Sequence, residues 1–163
     1  MEKALMKVTL FSDGSSRGNP GPGGYGTILR YVDSAGKVYE REYSEGFSDT
    51  TNNRMELMGV ITGLENLKKP CHVTIVSDSR YVVDAFQKHW IDSWQQKGWK
   101  GADKKPVKNI DLWQRLLKAA EEHELEFTWI KGHNGHPENE RCDALATAAA
   151  DRAAEENGSL GKH

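Results

Sequence analysis

Apolar positions along this chain follow two rhythms, and the switches between them mark out its elements. Val8 to Ser12 is a nearly continuous apolar run, as a buried strand requires. Gly24 to Val32 carries Tyr25, Thr27, Ile28, Leu29, Tyr31 and Val32, residues that favour a second strand. Val38 to Tyr43 alternates apolar and charged positions, the pattern of a half-exposed third. Ser34-Ala35-Gly36 turns between the last two, and such short connections predict an antiparallel meander. From Thr51 or Asn52 the period lengthens. Leu57, Val60, Ile61, Leu64 and Leu67 recur at helical spacing to about Lys68, and Pro70 closes the helix. His72 to Ser77 returns to a strand. Helical stretches follow over Ser79 to about Gln87, around Ile91 to Gln96, and over Ile110 to Glu122. A polar, lysine-rich loop from Lys97 to Lys108 interrupts them. Leu125 to Lys131 predicts the last strand. Glu138 to Glu155 predicts the last helix, with Cys142, Leu145, Ala146, Ala149 and Ala153 as its apolar stripe. Asn157 to His163 is expected to fray. This order predicts one α/β domain over residues 1–163, with a core of about 7–155: a mixed sheet with helices on its faces.

Composition narrows the class. A chain of 163 residues suits one domain, and buries roughly 68–70% of its unfolded surface without staples. A net charge of -2 gives no global basic field, so a nucleic-acid partner would need a local patch. No apolar run reaches the ~18 residues of a membrane span, and MEKALMKVTLF lacks the core of a signal peptide. Cys71 and Cys142 lack C-x-x-C spacing and are expected reduced, in a cytoplasmic protein.

Four acids stand where local structure gives them little to do. Asp13 follows the first strand and opens the glycine-rich stretch DGSSRGNPGPGGYG. Glu56 borders the apolar stripe of its helix, with Asn52, Asn53, Gly59 and Val60 as neighbours and no base among them. Asp78 ends the strand His72 to Ser77. Asp143 lies in the second turn of the last helix, beside Cys142, again without a basic neighbour. Each has an ordinary reading: a turn residue for Asp13, helix-dipole support for Glu56, a helix N-cap for Asp78 and a solvated face for Asp143. Together they suggest a second one. Converging carboxylates repel and raise one another's pKa, and a hard divalent cation such as Mg²⁺, which takes oxygen ligands, relieves this. Two such ions roughly 4 Å apart suit phosphate chemistry. The string Gly21-Pro22-Gly23-Gly24-Tyr25-Gly26 matches G-x-G-x-x-G but is no dinucleotide fingerprint. Pro20 and Pro22 lack N–H groups, and β-favouring residues follow where a helix should start.

The segments SDGSSRGNPGPGGYG, TNNRMEL, SDSRYV, GWKGADKKPVKNIDLW and WIKGHNGHPENERCD closely resemble the bacterial type 1 ribonuclease H family, ribonuclease HI, in the family's order from Val8 to about Ala154. The resemblance implies the ribonuclease H-like fold, a five-stranded mixed sheet of order 3-2-1-4-5 with helices on both faces. It implies endonucleolytic hydrolysis of the RNA strand of RNA–DNA hybrids, leaving 5′-phosphate and 3′-hydroxyl ends, by a monomer. Asp13, Glu56, Asp78 and Asp143 match the family's catalytic and metal-binding carboxylates, which hold two Mg²⁺ ions with substrate, Mn²⁺ being a substitute. His133 matches a catalytic histidine that moves protons or helps product leave.

A hybrid-specific nuclease must sense the 2′-OH, which amides can read. Asn19, Asn52 and Asn53 match family positions that contact the hybrid. Thr51 and Asn109 match polar contacts of a DNA-phosphate pocket, where Asp49 stands in place of an arginine found in some relatives. Trp90, Lys97, Trp99 and Lys100 fall in the family's basic, substrate-gripping protrusion, in which Gln95-Gln96 is less basic than in close relatives. Lysines there suit phosphates and tryptophans suit sugar faces. Trp94 reads better as a helix residue packed beneath the loop. Three other readings have distinct requirements. A non-catalytic hybrid-binding module has no need of the four acids. An ATPase on this fold needs a nucleotide-cradling loop and a second domain. A resolvase or integrase would lack the Asn-Asn and Lys-Trp features. Zinc held by His133-x-x-His136 and Cys142 lacks a second clear ligand pair.

Overall fold

A computed structural model of the chain describes residues 5–132 and 135–160, with side chains described as far as 156. Strands β1 (Met6–Ser16), β2 (Gly21–Val32) and β3 (Val38–Thr50) form an antiparallel meander. Strands β4 (Cys71–Ser77) and β5 (Glu124–Trp129) extend it in parallel, giving the order β3-β2-β1-β4-β5. Helix α1 (Asn52–Glu65) crosses from β3 to β4. Helices α2 (Arg80–Gln87), α3 (Trp90–Gln96) and α4 (Ile110–Ala120) lie between β4 and β5, and α5 (Pro137–Leu160) closes the chain.

Alternation along the strands sorts the core onto two faces. Leu10 and Leu29 join Leu57, Ile61, Trp113 and Leu116 under α1 and α4. Their strand neighbours Phe11 and Ile28 meet Val76 and Cys142 under α5. Both faces are therefore covered, and the carboxyl ends of β1 and β4 emerge side by side between α1 and α5.

The sheet runs further than the apolar pattern predicts. β1 continues past Ser12 to Ser16, so Asp13 sits inside a strand and pairs with Gly26. β3 runs on from Tyr43 to Thr50. Main-chain pairing needs no apolar side chains, and here the glycines of β2 serve another purpose. A Cβ on Gly26 would overlap the Cys142 carbonyl oxygen, and one on Gly24 would lie 2.7 Å from the Ala149 Cβ. The bare strand lets α5, with its small residues Ala146, Ala149 and Ala150, lie directly on the sheet. Parallel pairing of β1 with β4 stops at Phe11 and Val76, so Asp13 still lies just beyond the end of that ladder.

Side-chain caps fix the starts of α1 and α2. Thr51, not Asn52, caps α1: its Oγ1 accepts from the Arg54 N–H at 3.3 Å. Ser79, not Asp78, caps α2, accepting from the Val82 N–H at 3.3 Å. α5 is helical to Leu160, beyond the Glu155 that its apolar stripe predicts. The expected frayed segment therefore overlaps this helix through 160, and residues 161–163 lie outside the described part. Among the described residues, no helix is long and apolar enough to cross a membrane.

Candidate metal centre

Three of the four acids converge. One carboxylate oxygen from each of Asp13, Glu56 and Asp78 lies within 4.8 Å of the others. β1 carries Asp13, α1 carries Glu56, and the turn after β4 carries Asp78. The α1 contribution depends on a close approach: a Cβ on Gly14 would lie 2.6 Å from the Glu56 backbone nitrogen. Asp143 is not one of the converging three. It stands half-buried on α5, where its charge acts on Asp13.

Burial decides the electrostatics. Asp13 is 6% exposed and Glu56 5%. Burial first, then the charges of Asp78 and Asp143, push the Asp13 carboxyl up to about 8, against the pull of the Gly14 N–H at 3.0 Å. Burial above all, then Asp13 and Asp78, holds Glu56 well above the ordinary carboxylate range. The contact between the two carboxyls lowers Asp13 and raises Glu56, so the pair titrates together. Glu56 Oε2 is buried without a hydrogen-bond partner among the described groups. Two like charges this close cost on the order of 3–4 kcal/mol even at an effective dielectric constant of 20. A divalent cation removes that repulsion and satisfies the orphaned oxygen. The all-oxygen donor set fits a hard ion such as Mg²⁺, so the residues present fit the implied metal.

The ordinary readings of these acids lose ground. Glu56 is the fifth residue of α1, and the first turn of that helix contains no acid to support its dipole. Ser79 holds the cap that Asp78 would have filled. His133 lies outside the described residues. Among the described residues, the group placed to hold a metal ion is the acidic trio, which includes neither Cys142 nor His136. Cys142 is packed with Phe11 and Ile28, and burial, then the Asp13 charge, drives its thiol up to about 12. His136 Nδ1 accepts the Asn139 N–H at 3.2 Å. Glu138 lies 3.6 Å from the same nitrogen, too long for a hydrogen bond.

The residues read as substrate contacts divide into exposed and engaged. Asn19 Oδ1 accepts from the Asn52 N–H at 2.9 Å, which fixes the amide so that its NH₂ remains to donate. Asn52 and Asn53 are exposed in the first turn of α1. Thr51 is occupied as the cap. Asn109 donates to the Tyr81 hydroxyl at 3.0 Å and accepts from Arg54 at 3.2 Å. Arg54 also pairs with both oxygens of Asp111, at 3.0 and 2.8 Å. Asp49 is exposed. Trp90 is 40% exposed with the Lys88 ammonium 5.7 Å above its ring. Lys97 and Lys100 are exposed, whereas Trp99 is half-buried against the core. Trp94 packs edge-on to Trp113 at 5.4 Å, as its helical position predicts.

Sequence reasoning overlooks Trp129. Its indole N–H donates to the Asp78 carbonyl at 3.1 Å, and the Arg80 guanidinium lies 3.7 Å over its ring. Nothing in the local pattern separates it from any tryptophan ending a strand.

Comparison with known proteins bears on the family and the fold. The RNase H family model matches residues 6–151. The chain is 64% identical over 147 residues to a protein named Ribonuclease H from Lachnoclostridium phytofermentans, covering 90% of this chain and 93% of that one. It is 57% identical over 146 residues to Ribonuclease H of Citrobacter koseri, covering 90% of each. Among solved structures, LC9-RNase H1, described as a type 1 RNase H with the type 2 active-site motif, superposes with a TM-score of 0.84 at 33% identity. That alignment covers 94% of this chain and 76% of the other. LC11-RNase H1, solved in complex with an RNA/DNA hybrid, superposes with a TM-score of 0.58 at 25% identity, over 90% of this chain and 98% of the other.

Proposed function

From the premise that this chain belongs to the ribonuclease H family, we propose that it cuts the RNA strand of RNA–DNA hybrids at a centre formed by Asp13, Glu56, Asp78 and Asp143. The observation that carries this is the convergence of three carboxylates, two of them buried, within 4.8 Å. Hybrid binding alone does not require ionisable groups held at such expense, so a non-catalytic binding module leaves the arrangement unaccounted for.

Asp13, Glu56 and Asp78 would hold the ions, two of them when substrate is present, and Asp143 would complete one coordination shell from α5. When bound, Mg²⁺, or Mn²⁺ in its place, supplies Lewis-acid stabilisation of phosphoryl charge and lowers the pKa of an attacking water. The chain's own residues do the rest. Asp13 is oriented by the Gly14 N–H, and Glu56 is fixed by the contact of α1 with β1. Asn19, Asn52 and Asn53 offer amide groups beside Asp13 and Glu56, where they can read 2′-hydroxyls. Thr51 and Asn109 stand at the DNA-phosphate contact. Trp90, Lys97, Trp99 and Lys100 grip the duplex from the lysine-rich loop. His133 would move a proton or speed product release. The products would carry 5′-phosphate and 3′-hydroxyl ends.

One chain supplies every acid, which supports a monomer. Cys71 and Cys142 are unpaired buried thiols, which suits the reducing cytoplasm. Replacing Asp13 by Asn removes a ligand and one mutual repulsion. The variant should fold and lose cleavage by at least ~10²-fold, the scale of one lost charge-stabilising group. Wild-type-like turnover of Asp13→Asn would contradict the assignment.

A further inference from the structure

The ladder between β4 and β5 ends at the pair Ser77 and Trp129. Beyond it the Ile130 N–H still donates to the Ser77 carbonyl at 3.0 Å. Asp78 is the next residue out, and its carbonyl has left the ladder. The Trp129 indole N–H takes that carbonyl at 3.1 Å. The turn that follows is equally engaged: Ser77 Oγ accepts the Ser79 N–H at 3.0 Å, and Ser79 Oγ accepts from Val82. Little freedom is left to the backbone that aims the Asp78 carboxylate.

Trp129 is poorly explained as core. It is half-buried and belongs to neither apolar cluster. Its ring instead carries the Arg80 guanidinium at 3.7 Å, a close cation–π distance. The nearest carboxylate to Arg80, on Asp84, is 3.7 Å away, too long for a hydrogen bond. The stack therefore engages that guanidinium where its ion pair is too long to hydrogen-bond, and it covers one face of the indole. Three residues after Trp129, a Cβ on Gly132 would lie 2.5 Å from Asp78 Oδ2. One short segment, 129–132, thus meets Asp78 at its carbonyl and at its carboxylate.

We propose that Trp129 is a positioning residue for the metal centre, fixing Asp78 through its backbone carbonyl while Arg80 clamps the indole in place. The proposal rests on the metal reading above. Groups behind a ligand commonly set its geometry and so its affinity. Trp129→Phe keeps a ring for Arg80 to stack on and deletes the N–H. Arg80→Ala keeps the N–H and removes the clamp.

The test is a Mg²⁺ titration of both variants and the wild type without hybrid, following backbone amide NMR shifts at residues 13, 56 and 78. Thermal melts in chelator and steady-state kinetics at low and high Mg²⁺ accompany it. Trp129→Phe should need roughly threefold to tenfold more Mg²⁺ for half-saturation, the factor one hydrogen bond is worth. Its kcat should fall at low Mg²⁺ and recover at high Mg²⁺, with KM for hybrid unchanged. Arg80→Ala should fall between it and the wild type. A purely structural tryptophan would lower the melting temperature and leave the Mg²⁺ midpoint alone, and that result overturns the proposal. If Trp129→Phe fails to fold, an unshifted midpoint in Arg80→Ala overturns it equally. Absence of Mg²⁺-induced shifts in the wild type would instead overturn the metal reading itself.

Discussion

Asp13 and Glu56 are held in a state that water would not allow, and the consequence is a measurable dependence of stability on pH. The folded Asp13 pKa, about 8, lies above its ordinary value of 3.8, so the folded chain binds more protons than the unfolded chain between those values. Stability of the metal-free protein should therefore fall as pH rises from about 4 to about 8. Glu56 adds to the same slope. Asp13→Asn should flatten that slope and stabilise the metal-free protein at pH 8 by at least ~1.4 kcal/mol, the value of one pKa unit. Urea melts in chelator across this range check both, and a wild type that gains stability on the way up would contradict the electrostatics. Glu56 and Asp143 were legible in the sequence because neither has a base three or four residues away on its helix, and Asp13 because it stands where an apolar strand gives way to a glycine-rich stretch. Trp129 was not, because its role depends on which carbonyl its indole meets across two strands.

At the scale of elements, the glycines of β2 set how close α5 comes, and with it where Asp143 stands. Gly26→Ala should destabilise the fold by about 1–3 kcal/mol, the usual range for an added group with no space, since its Cβ would strike the Cys142 carbonyl. A denaturant melt reads the loss, and an unchanged midpoint would mean that α5 does not rest on a bare strand. Helix periodicity located the buried faces of α1 and α5 well: Leu57, Val60, Ile61 and Leu64 are all buried, as are Cys142, Ala146 and Ala149. The strand extensions past Ser12 and Tyr43 escaped the pattern because, Tyr25 and Phe47 aside, pairing there is between glycines and polar residues. Exposed ion pairs add little singly. Those of Arg30 with Glu40 and Glu138, and of Arg141 with Glu40 and Glu42, nonetheless tie the start of α5 to the sheet.

For the whole molecule, a net charge of -2 leaves substrate attraction to a local patch. The exposed Lys97 and Lys100, beside Lys104 and Lys105, are placed to supply it. Replacing Lys97 and Lys100 by Ala should weaken hybrid binding and make its salt dependence shallower, by roughly one unit of slope for each phosphate that is no longer neutralised. An unchanged salt slope would move the substrate grip elsewhere. Sheet order and acid positions could be anticipated because family-like segments span most of the chain. The state of Asn109 could not, since it depends on Tyr81 and Arg54 meeting it from two other helices.

The central claim is metal-dependent cleavage of one strand in one kind of duplex. The direct measurement presents purified protein with an RNA–DNA hybrid, double-stranded RNA and double-stranded DNA, each in Mg²⁺ and in chelator, and identifies the ends produced. Cutting confined to the RNA strand of the hybrid, in Mg²⁺ alone, with 5′-phosphate and 3′-hydroxyl ends, is the expected result. Cleavage of duplex DNA, or of the hybrid in chelator, would contradict it.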